Sequence, residues 1–126
     1  MNKTIINTEK APAPLGPYSQ AVLLKETLYV SGQIAINAST GDMVDSNITA
    51  ETHQVMENLG HVLEAAGMNF SHVLKCSIFV KDMNDFVVIN SAYGEYFKLD
   101  PPARETVEVS RLPKNVSVEI SCIASR

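Results

Sequence analysis

Arg104 and Thr106 are the side chains of this chain whose type and spacing could hold a small anion. Pro101 and Pro102 exclude a helix and open an extended run, Ala103 to Val109. Strand alternation sets Ala103, Glu105, Val107 and Val109 on one face, with Arg104, Thr106, Glu108 and Ser110 on the other. A planar guanidinium beside a threonine at the start of a strand suits a small planar anion. The ordinary explanation of such an arginine is an ion pair near a sheet edge. The final strand, Val116 to Ala124, points Val116, Val118, Ile120, Cys122 and Ala124 inward, and Glu119 outward with Ser117, Ser121 and Ser125. Taken alone, an outward glutamate is a solvated one.

The elements that must position these groups follow from periodicity. Ala11 to Gln20 holds Pro12, Pro14, Gly16 and Pro17 and reads as an extended loop. It carries Tyr18, which packed on a loop surface would need no further role, into a strand from Ser19 to Leu24. A second strand, Leu28 to Ile34, contains Ser31 and Gly32; a glycine there marks a bulge or a close backbone approach. Thr49 to Ala66 is a helix capped by Thr49, with Glu51 in its first turn and a core stripe through Val55, Met56, Leu59, Val62 and Leu63, stopped by Gly67. Val73 to Val80 is a third strand. A second helix opens at Asn84 as its cap and buries a stripe of Phe86, Ile89, Asn90, Tyr93, Tyr96 and Phe97. Asn90 in that stripe needs polar partners, which a neighbouring backbone could supply. His53 and His61 are two helical turns apart, too far to share a metal, and no metal site follows from them or from His72.

Composition removes several function classes. A chain of 126 residues, 45% hydrophobic and 19% charged, suits a single domain over residues 1–126. The net charge of −4 and the lack of any basic cluster disfavour a nucleic-acid partner. No apolar run approaches the ~20 residues of a membrane span, and the first residues lack a signal peptide's apolar region. Cys76 and Cys122 sit in apolar strand patterns and read as reduced core thiols, which places the protein in the cytoplasm.

The order strand, strand, helix, strand, helix, strand, strand is an α+β sheet whose two helices cover one face. A half-covered sheet predicts association, with Arg104, Thr106 and Ser31 on or near the bare face.

The run Pro102-Ala103-Arg104, Val107, Val109, Leu112-Pro113 and Val118-Glu119-Ile120 resembles the C-terminal signature P-A-R-x-x-V-x-V-x-x-L-P with a following V-E-I of the RidA (YjgF/YER057c/UK114) family. Gly16 to Gln20 resembles that family's G-P-Y-S-Q segment, Ser31 to Ile34 its S-G-Q-[IV] motif, and Asn90 to Phe97 its N-x-x-Y-x-x-[YF]-F helix. The similarity spans Ala11 to Ala124. It implies a chorismate-mutase-like fold, a homotrimer with a central barrel, and ligands bound between subunits.

The implied activity is hydrolysis of 2-imino acids to 2-keto acids and ammonia, with no cofactor. The substrates would be 2-iminopropanoate and 2-iminobutanoate, which arise from 2-aminoacrylate and 2-aminocrotonate. By resemblance Arg104 holds the carboxylate, Glu119 directs water, and Tyr18 and Asn90 orient the substrate. Ser31, Gly32, Arg104 and Thr106 complete the polar lining through their backbone. The resemblance allows Arg104 and Glu119 to meet within one subunit or across two. Many family members have cysteine where Thr106 stands; water attack on an imine needs no covalent step, so threonine is compatible with the reaction. The rival expectation is a non-catalytic trimer that binds small carboxylates and regulates; Arg104 serves both, and Glu119 favours hydrolysis.

Overall fold

The computed structural model describes residues 2–126. Six strands form one sheet: β1 (Thr4–Ile6), β2 (Ala21–Leu24), β3 (Thr27–Gln33), β4 (Val73–Val80), β5 (Ala103–Glu108) and β6 (Val118–Ser125), in the order β1-β2-β3-β6-β4-β5. Only β4 and β5 pair in parallel, because the chain between them crosses over through a helix. The helices are α1 (Ile48–Ala65) and α2 (Phe86–Gly94). This is the expected α+β arrangement, with one addition: the three residues of β1 carry too short a pattern to be read as a strand.

One face of the sheet is the core. Leu28, Val30, Ile78, Val80, Val118 and Ile120 pack beneath Val55, Met56, Leu59, Val62 and Leu63 of α1. Cys76 and Cys122 are cross-strand partners on this face, buried and unbridged. Among the described residues no helix is long and apolar enough to cross a membrane.

The helix boundaries differ from the sequence expectation. The cap of α1 is Asn47, not Thr49; its side chain accepts from the Ala50 backbone N–H at 2.8 Å, so the helix starts at Ile48. Asn84 does not cap α2 either. Its N–H donates to Asp82 at 2.9 Å, which closes a short 3-10 turn before the α-helix begins at Phe86. Tyr96 and Phe97 lie beyond the end of α2 yet still pack; the Phe97 ring meets Phe70 edge-on at 5.5 Å between centroids.

Two further expectations are corrected. Asn90 is exposed rather than buried in the core stripe. Arg104 and Thr106 do not approach the bare face: they pair with the inward residues Cys76 and Ile78 and point toward the helices. Alternation sorts residues into two faces, but it does not say which face the helix covers. The bare face instead carries Tyr29, Ser77, Glu105, Val107 and Glu119, with Tyr29 and Val107 exposed.

Candidate active site

Glu119 lies in a cleft of about 170 Å3 where β3, β6, the loop before β2 and the turn at Pro113 converge. The pairing of β3 with β6 explains its position. Val30 pairs with Cys122 and Gln33 with Ile120, so Ser31 and Gly32 together oppose Ser121 across a bulge. The extra residue keeps both Val30 and Gln33 inward and brings the Gly32 backbone against the Glu119 side chain. The sequence expectation of a bulge or close approach at Gly32 holds in both senses. Tyr18 lines the same cleft, and its hydroxyl accepts from the Leu15 N–H at 3.1 Å. Ser31 ties the loop to the strand: its hydroxyl donates to Ser19 O at 2.6 Å and its N–H to Gln20 O at 2.9 Å.

The Glu119 carboxyl is half-buried, and burial raises its pKa above the ordinary glutamate value. Among the described residues no cationic group lines the cleft to oppose that shift. Pro12, Ala13, Leu15, Ile34, Ile36 and Pro113 supply an apolar wall. A carboxyl raised by burial in a cleft is a candidate for proton transfer.

Three buried polar side chains, absent from the sequence expectation as site residues, hold the cleft walls. Gln20 donates to the carbonyls of Thr8, Ala11 and Pro12 and accepts from the Thr8 N–H at 2.7 Å, so one amide staples the proline-rich loop. Asn58 of α1 donates to Ile34 O and Ile36 O, each at 3.0 Å. Glu51 accepts from the Ser117 and Val118 N–H groups at 2.8 and 3.2 Å, which pins the start of the strand that carries Glu119. Glu51 and Asn58 fall on the inward stripe of α1, seven residues apart. A polar residue at that spacing was the signal that could have found them.

Arg104 stands elsewhere. It lies on β5, the edge strand, where its guanidinium donates to Asn90 Oδ1 at 2.6 Å and sits 5.6 and 5.2 Å from the ring centroids of Phe86 and Tyr93. The stacking fixes the plane of the fork. The neighbouring Thr106 hydroxyl is shut off from solvent with no partner among the described residues. The structure therefore makes two groups. Tyr18, Gly32 and Glu119 line the cleft, with Ser31 beside it tying the loop to β3; Asn90, Arg104 and Thr106 share the helix side of β5, across β4 from β6.

No group of three or more potential metal ligands occurs among the described residues. His53 bonds Tyr96 at 2.9 Å and approaches Glu95, and His72 accepts from the Asn69 N–H.

The family model described as endoribonuclease L-PSP matches residues 8–126. The chain belongs to this family, known also as RidA/YjgF. Among RidA relatives, a RutC family protein of Sulfurisphaera tokodaii is 53% identical over 94% of this chain and 95% of its own length. The human 2-iminobutanoate/2-iminopropanoate deaminase is 43% identical over 97% of this chain and 89% of its own. The structure of E. coli TdcF with bound serine matches with a TM-score of 0.94 at 36% identity, covering 98% of both chains.

Proposed function

We propose that this protein hydrolyses 2-imino acids such as 2-iminopropanoate and 2-iminobutanoate to 2-keto acids and ammonia, at sites shared between subunits of a homotrimer. The observation that carries the reading is Glu119: a half-buried carboxyl that burial raises above the ordinary glutamate pKa, in a largely apolar cleft to which its own chain brings no cation. The 43% identity to a human protein named for this reaction supports it.

Within one chain, Arg104 and Glu119 lie on opposite faces of the sheet, so they cannot hold one small substrate together. The reaction then needs the Arg104 edge of one subunit at the Glu119 cleft of the next. The exposed Tyr29 and Val107 suit a neighbour on the bare face.

At such a site the guanidinium grips the substrate carboxylate with its free N–H groups, while Asn90 and the two rings hold its plane. Glu119 takes a proton from water as the oxygen adds to the imine carbon. With the imine nitrogen protonated, this addition gives a neutral carbinolamine. Glu119 returns its proton to the nitrogen, and as the C–N bond breaks the hydroxyl passes its proton to Glu119 and becomes the keto oxygen, so that ammonia and the 2-keto acid leave. Tyr18 and the Gly32 backbone, which line the cleft, would border the substrate there.

With a dehydratase generating the imine in situ, added protein accelerates keto-acid release; no acceleration refutes the reading. A mixture of Arg104→Ala and Glu119→Gln chains, each inactive alone, recovers about a quarter of the activity if each site draws on two subunits, and none if it draws on one. The rival, a carboxylate binder without turnover, is favoured by one observation, the bound serine in TdcF. It predicts that Glu119→Gln changes nothing measurable.

A further inference from the structure

We infer that Gly32 is a positioning residue for Glu119: its bare Cα at the bulge is the seat that fixes where the carboxylate lies, and any side chain at 32 displaces it from the cleft. A Cβ placed on Gly32 would meet Glu119 Oε2 at 2.5 Å, Cδ at 2.8 Å and Cγ at 3.0 Å. Three successive atoms of one side chain thus lie along the glycine backbone. The requirement is for space, not for conformation. Gly41 and Gly67 adopt the left-handed φ that favours glycine, at 79° and 72°, whereas Gly32 does not. Alanine at 32 is therefore free of backbone strain, and its only cost is the collision with the acid.

The displacement has a chemical consequence, for which the inference rests on the proposed hydrolysis. Around the carboxyl stand Tyr18 and Gln20 from the loop, Gln33 and Ile34 after the bulge, and Pro113 from the turn. Phe79 is its register partner on β4. Tyr18 is the one other titratable group in the cleft lining, and no basic residue is present there. Within its own chain burial is what shifts Glu119. The Arg104 of a neighbouring subunit is the charged group that the proposed assembly adds, and both influences depend on the seat.

The test is the carboxyl titration of Glu119, followed by NMR in full-length protein labelled with 13C-glutamate, for the native chain and Gly32→Ala. The midpoint moves toward that of an ordinary glutamate in Gly32→Ala; an unchanged midpoint overturns the proposal. This readout does not depend on turnover, so absent imine hydrolysis in the native protein would sink the proposed function and leave this result standing. A thermal double-mutant cycle covers the case where Gly32→Ala folds poorly. Gly32→Ala lowers the melting temperature in the native background and leaves it unchanged or higher in Glu119→Ala, where the collision is gone. An equal loss in both backgrounds means that the methyl strikes something other than the glutamate, and the inference fails.

Discussion

The two halves of the proposed site are built differently. The Glu119 cleft is held from beneath by buried hydrogen bonds from Gln20, Glu51 and Asn58, each fixing a separate backbone segment. The Arg104 half sits on an edge strand and is held by one hydrogen bond and two aromatic rings. A group that moves protons must be fixed to a fraction of an ångström, since its reach is a single hydrogen bond. A group that grips a carboxylate needs mainly its plane and charge. The contrast teaches that buried polar bonds in this chain are concentrated where the proposed proton transfer occurs.

The largest effect comes from breaking the chemistry in each half. Glu119→Gln lowers kcat for imine hydrolysis by about 10²–10⁴-fold and keeps 2-keto acid binding, as measured by calorimetry. Arg104→Lys loses the bidentate grip and lowers kcat/KM by roughly 10–100-fold with the oligomer intact. Equal losses from both would erase the distinction drawn between the halves.

Support is the next difference to probe. Asn58→Ala leaves the Ile34 and Ile36 carbonyls unpaired and costs about 1–3 kcal/mol in urea unfolding. Asn90→Ala, an exposed position, changes stability by about 0.5 kcal/mol or less.

A smaller effect appears in pH dependence. The raised pKa of Glu119 means that the folded state binds a proton more tightly than the unfolded chain does. Its contribution to stability is therefore fully present below the ordinary glutamate pKa and is lost as pH rises through the folded value. Glu119→Gln should consequently gain stability over the native chain near neutral pH, with the gain vanishing in acid; urea midpoints at several pH values measure this. Smallest of all, Phe86→Leu removes one face of the guanidinium stack, worth about 0.5–1 kcal/mol, and raises KM a few-fold with kcat nearly constant.

Much of this architecture was legible in the sequence. Strict alternation marked β6, helical spacing marked α1, and a glycine inside a strand marked the bulge at Gly32. The short β1 was not legible, because three residues carry no usable period. The sequence does not separate Asn47 from Thr49 as the cap of α1, since both are capping types and only backbone geometry distinguishes them. Glu51 was read as an acid favoured by the helix dipole, since nothing local shows that Ser117 and Val118 lie above it. The division of Arg104 from Glu119 is set by the register in which β5 and β6 pair with β4, Arg104 opposite Cys76 and Glu119 opposite Phe79. That is a tertiary fact with no counterpart in the alternation of either strand.

The single surplus residue in β3 also separates foldability from chemistry. Removing Ser31 would let β3 and β6 pair without interruption and keep Val30 and Gln33 inward, yet it would cut the two hydrogen bonds that moor the Tyr18 loop. Such a shortened chain should assemble a tidier sheet around an unmoored loop, an inert copy suited to separating what the scaffold does from what its cleft does.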